Sequence, residues 1–351
     1  MWTGFLLTLP VLEKIGLRMF LTRANIFHYL LHKRFADPED VVSGAFTVRG
    51  LSRRNHNFRV TSGTREYLVK QVRKWDAEGR ASLEREASVY WQARTNPSLA
   101  PFAELAPQSY AWDPLNAVLI LEYLPEHAEL YDLSDRFAPG LARLAGEAMG
   151  TFHRAMRSVE HRSWFPEELP PVLCMHESKE EDLANESAGR RELVRAVRGN
   201  PEYGRALDRL REQWQAVTVI QGDWKLDNCL VSSGRDRIRM VDWEFATWGD
   251  PTWDLATLLQ SYWNFWVCRP SQYRLEEIQP ALRAVLHGYG QADITEPAVL
   301  WAGARMLQTA FEQLENAEQM TAEAVRLMQG SLNILTRPQW AAEQILEMSS
   351  A

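Results

Sequence analysis

The sequence predicts an α+β fold in two lobes, a small β-rich N-lobe followed by a larger, mostly helical C-lobe. Three observations carry this. β-Branched and aromatic residues gather in short runs over residues 41–72, and again in Ala117-Val-Leu-Ile-Leu-Glu-Tyr-Leu124. From Trp253 onward the apolar residues recur only at helical spacing. The 351 residues are also enough to bury two separate cores. The divisions expected are an N-terminal helical extension over 1–40, an N-lobe over 41–124 and a C-lobe over 125–351.

Taken in order, residues 11–35 have the spacing of an amphipathic helix, with Leu12, Ile15, Met19 and Phe20 on one side. The apolar stretch 4–12 is interrupted by Pro10 and followed by Glu13, Lys14 and Arg18. It has no positive leader and is too short for a bilayer, so neither a secretory signal nor a membrane span is expected. Strands are expected at 41–48, 57–61 and 67–72, with a loop at 50–56 and a turn at Ser62-Gly63. Residues 79–94 read as a helix with Leu83, Ala87 and Tyr90 along one face. The β-prone run 117–124 follows, and Pro125 ends it.

The C-lobe begins with a helix over 141–156, where Leu141, Leu144, Ala148 and Phe152 share a face. Residues 176–215 are charged and mostly helical, with breaks at Gly189, Gly199 and Pro201. Short strands at 217–220 and 238–241 flank a polar loop. The helices after Trp253 are expected to break near Pro270, Pro280, Gly290 and Pro297. No internal repeat or low-complexity segment occurs.

The net charge of -7 argues against a nucleic-acid partner, which would call for a basic surplus. Cys174, Cys229 and Cys268 form no CxxC pair, so a zinc site or disulfide framework is not expected, and a reducing, cytoplasmic location is. Over 291–351, eight acidic residues face three basic ones. A solvated helix face explains this; an acidic wall for a cationic ligand is the sharper alternative.

The polar loop carries the chemistry. It reads Gln221-Gly-Asp-Trp-Lys-Leu-Asp-Asn228, and Val241-Asp-Trp-Glu244 follows the next strand. Phosphoryl transfer needs positioning and charge neutralisation rather than covalent help. Asp223 can accept the proton of an incoming hydroxyl. Asn228 and Asp242 offer hard oxygens for Mg²⁺, provided a hairpin returns Asp242 to the same place. Asp, Asn and Asp in this order between short apolar strands form a specific signal; Gly-Asp alone would not. No GxxxxGK[ST] run occurs, which excludes a P-loop nucleotide site.

These residues resemble the aminoglycoside phosphotransferase and choline kinase family, whose motif runs His-Gly-Asp, four residues, Asn, then hydrophobic-Asp-aromatic-Glu. Gly249-Asp-Pro-Thr-Trp-Asp-Leu-Ala256 is similar to that family's next block. The likeness is strong over 219–260 and fainter over 41–156. It implies a bilobal protein kinase-like fold, with ATP and Mg²⁺ as cofactors. It implies Asp223 as the catalytic aspartate, Asn228 and Asp242 as metal ligands, and Asp254 as a residue that holds the loop together.

The same resemblance calls for a strand lysine that reaches the nucleotide phosphates and pairs with a helix glutamate. Lys70 stands mid-strand, where an unpaired charge would be costly. Glu86 is the expected partner and Glu84 the second choice; an edge-strand lysine facing water is the bland alternative. Glu122-Tyr-Leu124 resembles the hinge that binds adenine through backbone groups, which places Glu122 and Leu124 at the nucleotide. Residues 52–57 hold no glycine run.

Two positions depart from the pattern. Gln221 replaces the motif histidine, and its amide can both donate and accept. Lys225 gives the Asp-x-Lys-x-x-Asn pattern of serine/threonine protein kinases, where a lysine neutralises charge on the moving phosphoryl group. A solvated loop lysine is the alternative. Lys225 also makes the chain similar to the kinase-like members associated with class V lanthipeptide maturation. That likeness implies a peptide Ser or Thr as acceptor and a partner protein in a modification complex.

The acceptor is therefore either a small cationic alcohol or sugar, or a peptide hydroxyl. A catalytically silent kinase-like binding partner is the reading from another class. Trp224, Trp243, Trp248, Trp253, Trp263 and Trp266 crowd the motif. Most are expected in the core, with one or two free to line an acceptor pocket. His153 is expected to be a packing residue.

Overall fold

The computed structural model describes residues 18–52, 55–159, 162–291 and 293–346. Two compact units divide the chain. The first runs to Glu126 and takes in Trp243–Phe245; the second holds His127–Asp242 and the chain from Ala246.

The first unit contains α1 (Ile26–His32), α2 (Pro38–Val42), β1 (Phe46–Ser52), β2 (His56–Ser62) and β3 (Arg65–Gln71). These are followed by α3 (Ala77–Thr95), α4 (Ala100–Ala103), β4 (Ser109–Asp113) and β5 (Val118–Glu122). The strands form one antiparallel sheet in the order β1-β2-β3-β5-β4. Phe58 and Val60 alternate with more exposed residues on β2, as a one-faced sheet requires. With Tyr67, Val69, Val118 and Ile120 they pack against Ile26, Tyr29 and Leu30 of α1.

The N-terminal part differs from expectation. Leu12 and Ile15 fall outside the described residues, and Met19 and Phe20 precede the helix. Side chains hold this segment in place of helical bonds. Asn116 Oδ1 accepts from the Met19 N–H, and Gln71 Oε1 from the Leu21 N–H. The expected strand at 41–48 is also displaced. Asp37 caps a helix there by accepting the Glu39 N–H at 3.0 Å, and Pro38 occupies its first turn. That capping signal overrides the β preference of Val41 and Val42. The strand starts only at Phe46, after Gly44 turns the chain at φ +76°.

The second unit is mainly helical. It holds α5 (Pro139–Met156), α6 (Ala188–Arg198), α7 (Pro201–Gln213), α8 (Pro251–Cys268), α9 (Leu275–Tyr289), α10 (Thr295–Gln313), α11 (Ala322–Thr336) and α12 (Pro338–Leu346). α5 and α9 approach closely because two glycines face the contact. A Cβ on Gly146 would stand 2.2 Å from the Val285 carbonyl oxygen, and one on Gly288 would stand 2.2 Å from that of Arg143. Pro280 lies inside α9 and Pro297 in the first turn of α10, so neither breaks a helix. The first turn tolerates proline because its N–H groups have no helical partner. Gly189 likewise lies within α6, where it passes the Gln319 carbonyl closely.

Short strands frame the loop of interest. β7 (Thr218–Ile220) pairs with β10 (Thr247–Gly249), and β6 (His127–Glu129), β8 (Cys229–Ser232) and β9 (Ile238–Met240) form a three-stranded sheet. Among the described residues, no helix is long and apolar enough to cross a membrane.

Candidate active site

In the first unit Lys70 occupies β3, the central strand, opposite Asn57 on β2 and Leu119 on β5. It is therefore not an edge-strand lysine. Its Nζ lies 2.6 Å from Glu86 Oε2 on α3, with side chains 6% and 0% exposed. Glu84 is exposed on the same helix, so the partner is Glu86. At the end of β5 the Glu122 N–H donates to the Gln108 carbonyl at 2.8 Å, and its carboxylate accepts the Gln108 N–H at 3.0 Å. Among the described residues, the Leu124 N–H donates to no backbone carbonyl.

Glu244 also belongs to this unit and is buried. Its Oε2 accepts from Ser82 Oγ at 3.2 Å and Asn55 Nδ2 at 3.3 Å. The motif suggested no such tie to α3 and to the segment between β1 and β2.

In the second unit the loop from Gln221 to Asn228 is built around buried polar contacts. Gly222 turns the chain at φ +84°. Asp254 on α8 then accepts the Gln221 N–H at 2.7 Å and the Gly222 N–H at 2.8 Å. It therefore does hold the loop together. His153 is more than a packing residue. Its Nε2 lies 3.0 Å from Asp254 Oδ2 and its Nδ1 lies 3.2 Å from the Tyr289 hydroxyl. A carboxylate only accepts, so the ring proton belongs on Nε2 and Nδ1 accepts from Tyr289. Burial, with Asp254 nearby, pushes the Tyr289 hydroxyl up to about 12, so it remains a donor.

Gln221 uses both ends of its amide. Nε2 donates to the Asp242 carbonyl at 2.7 Å and the Val241 carbonyl at 3.2 Å, while Oε1 accepts the Asp223 N–H at 2.9 Å. It thus ties the two halves of the motif together. The hairpin that returns Asp242 is not formed by β7 and β9. It is formed by β8 and β9, in a register where Cys229 faces Met240 and the Val241 N–H donates to the Asn228 carbonyl at 3.1 Å. Cys-Leu-Val-Ser of β8 is too short to show a period, so the sequence does not announce this strand.

This brings Asn228 and Asp242 together. Asn228 is buried and its amide nitrogen donates to the Asp223 carbonyl at 2.9 Å, which fixes which way its oxygen faces. Asp242 has φ +66°, an uncommon conformation for a residue with a side chain. Their donor set, an amide oxygen and a carboxylate, fits the hard-oxygen preference of Mg²⁺.

Asp223 has a cation on each oxygen. Lys225 Nζ lies 2.6 Å from Oδ2, and Arg305 Nη2 from α10 lies 3.0 Å from Oδ1. Burial opposes the Lys225 charge, but the facing Asp223 and then Asp227 outweigh it and hold the ammonium above its ordinary value. Arg305 is buried, and Glu312 and Asp223 together hold its charge against that burial. Arg305 was not among the sequence candidates; it lies 82 residues from Asp223 on a helix with no motif.

Beside Lys225 and Arg305 opens a cavity of about 190 Å³. None of the six tryptophans lines it; its aromatic walls are Tyr131 and Phe265. Trp224, Trp243, Trp248, Trp253 and Trp263 are buried, and Trp266 is half-buried. Trp253 Nε1 steadies the loop by donating to the Gly222 carbonyl at 3.2 Å.

Residues 47–306 match the model of a family described as the phosphotransferase enzyme family. The chain belongs to that family. As a phosphotransferase it has the kinase-like α+β fold of several solved structures. One is a choline/ethanolamine kinase family protein from Mesorhizobium loti, at 20% identity and TM-score 0.55, covering 89% of this chain and 97% of that one. Another is an ethanolamine kinase from Plasmodium vivax, at 13% identity and TM-score 0.61, covering 94% of each chain. A third is an amicoumacin kinase in complex with AMP-PNP and Ca²⁺, at 13% identity and TM-score 0.58, covering 88% and 96%. Among curated proteins, no sequence matches this phosphotransferase.

Proposed function

We propose that this phosphotransferase moves the γ-phosphoryl group of ATP to an acceptor hydroxyl, with Asp223 as the catalytic base. The observation that carries this reading is Asp223 itself. Its backbone is held by Gln221 and Asn228, and its carboxylate stands between Lys225 and Arg305. A carboxylate oxygen has two lone pairs, so each can still accept the acceptor proton.

The hydroxyl oxygen bonds to the γ-phosphorus as the bond to the β,γ-bridging oxygen breaks. The proton passes to Asp223, and ADP departs with the bond electrons. Lys225 would shift from the carboxylate to the phosphoryl oxygens as charge moves onto them. Lys70, fixed by Glu86, positions the nucleotide phosphates, and the backbone at Glu122 and Leu124 receives the base. Asn228 and Asp242 would hold Mg²⁺, which when bound neutralises the triphosphate. The AMP-PNP and Ca²⁺ of the amicoumacin kinase structure support ATP and a divalent ion as the ligands here.

The compact cavity beside Lys225 favours a small-molecule acceptor. The Asp223-Trp-Lys225 pattern keeps a peptide Ser or Thr, delivered with a partner protein, as the second reading. Free cysteines suit a cytoplasmic location.

ADP release with Mg²⁺ and an acceptor panel tests the proposal. Asp223→Ala should lower turnover by orders of magnitude while ATP still shifts the melting temperature. Gln221→His should keep activity. A protein that neither binds ATP nor releases ADP would instead be a silent binding module.

A further inference from the structure

We infer that the acceptor is a hydroxyl compound carrying an anionic group, such as a hydroxy acid or sugar acid, whose carboxylate is held by Arg269. This rests on the phosphotransferase reading and concerns the cavity beside Lys225 and Arg305.

A cationic acceptor calls for a lining rich in carboxylates or open aromatic faces. Here three cations, Lys225, Arg269 and Arg305, line the cavity against two carboxylates, Asp227 and Glu312. Lys225 and Arg305 take the two oxygens of Asp223. Arg305 Nη1 also lies 3.1 and 3.2 Å from the two oxygens of Glu312, and Gln308 donates to Oε1 at 2.9 Å. The aromatic walls are committed as well. The Arg136 guanidinium lies 5.0 Å from the Phe265 ring centre and 5.8 Å from that of Tyr131. The acidic surplus of the C-terminal helices therefore does not translate into a cation site at this cavity.

Arg269 is the cavity cation that pairs with no carboxylate among the described residues. It is exposed at the end of α8, where an arginine commonly serves to cap the last carbonyls. Here Arg326 does that work, with Nε donating to the Val267 carbonyl at 3.0 Å and Nη2 to that of Cys268 at 3.1 Å. The Arg269 guanidinium reaches the Tyr131 hydroxyl at 3.4 Å and meets that of Tyr273 as well, two partners that leave further N–H donors. Its planar fork has five N–H donors, and a carboxylate is the ligand that matches this geometry. On the same helix, and also lining the cavity, Gln260 Nε2 donates to Asn264 Oδ1 at 2.6 Å. That orients the Asn264 amide nitrogen and the Gln260 carbonyl as a donor and an acceptor for substrate hydroxyls. The transferred group bonds to one such hydroxyl, whose proton goes to Asp223 as ADP leaves.

The experiment measures kcat/KM with Mg²⁺ and ATP for matched acceptors of equal carbon skeleton: hydroxy or sugar acids, neutral polyols, amino alcohols or amino sugars, and Ser/Thr peptides. Acids should be preferred. Arg269→Gln should lower the preference for an acid over its neutral counterpart by roughly 10- to 100-fold. Arg269→Lys, which keeps charge without the fork, should fall between. Preference for amino compounds or peptides overturns the acceptor class and leaves the phosphotransferase reading standing. So does an acid-to-neutral ratio unchanged in Arg269→Gln. No turnover with any class, with no nucleotide bound, removes both.

Discussion

Arg305 Nη2 lies 3.0 Å from Asp223 Oδ1, across 82 residues of sequence. The same guanidinium holds Glu312 and the Thr309 hydroxyl through Nη1, and its side chain is 4% exposed. It therefore ties the candidate base to α10. Charge-assisted bonds of this kind fix the angle of a carboxylate as well as its charge.

Arg305→Gln should lower kcat by roughly 10- to 100-fold, since a base displaced by about an ångström loses near-attack geometry. The KM for ATP should change little, because nothing places Arg305 at the nucleotide. Asp223 would keep Lys225, and Glu312 is half exposed, so the melting temperature should drop only modestly, by the loss of about one or two charge-assisted hydrogen bonds. Arg305→Lys should recover more stability than activity. Steady-state kinetics and thermal denaturation on the same preparations check both.

Lys70 and Glu86 make a second test, this time one that separates folding from function. Their ion pair is almost fully buried. Lys70→Met alone should destabilise by about 3–5 kcal/mol, because Glu86 keeps a buried charge. Lys70→Met with Glu86→Leu should regain most of that stability, since apolar replacement of a buried pair is often neutral. Activity should stay lost in both. Urea unfolding and ADP release measure the two effects; a double variant as unstable as the single one would contradict the account.

Those residues were legible in the sequence, and Arg305 was not, for a physical reason. Lys70, Glu86, Asp223, Asn228 and Asp242 sit in short segments whose apolar period and polar exceptions are local. A charged residue in an apolar strand already signals a partner. Arg305 lies on a helix whose buried face is set by tertiary packing, and one basic residue there reads as surface. The one available signal was its company: Ala302, Gly303, Ala304, Met306 and Leu307 are all buried around it. The strand at 41–48 failed differently. Its valines suit a strand, but Asp37 and Pro38 start a helix, and local capping won. The hairpin partner β8 was missed because four residues carry no period.

Asp113 gives the first unit a predictable response to acid. Its carboxylate accepts from Tyr29 Oη at 3.0 Å and Asn116 Nδ2 at 3.1 Å, and Lys33 Nζ lies 3.1 Å away. Burial works against the charge, but the Asn116 hydrogen bonds and Lys33 outweigh it and hold the group below its ordinary value of 3.8. A group depressed on folding stabilises above its unfolded value and loses that contribution as pH falls through the folded one. Asp113→Asn should therefore be less stable than the parent near pH 7, with the gap narrowing below about pH 4. Urea midpoints across that range report it, and a gap that widens in acid would refute the assignment.

Asp242 carries the last prediction, which sets stability against activity. It has a side chain at φ +66°, and Gln221 anchors its carbonyl at 2.7 Å. A left-handed conformation costs an ordinary residue about 1–2 kcal/mol, less for Asp and Asn, whose short side chains tolerate it. A strained residue kept in place points to a use for its side chain. Asp242→Asn keeps the size and the tolerance but removes the charge. It should change stability by less than about 0.5 kcal/mol and cut turnover at least 100-fold, with Mg²⁺ needed at higher concentration. Asp242→Gly relieves the strain but frees the unfolded chain, two effects of about 1 kcal/mol that oppose one another. It should be no less stable than the parent and equally inactive. Thermal melts with Mg²⁺ titrations of ADP release distinguish these outcomes. If both variants stayed active at the parent's Mg²⁺ requirement, Asp242 would be a loop-forming residue and its carboxylate would have no part in holding the metal.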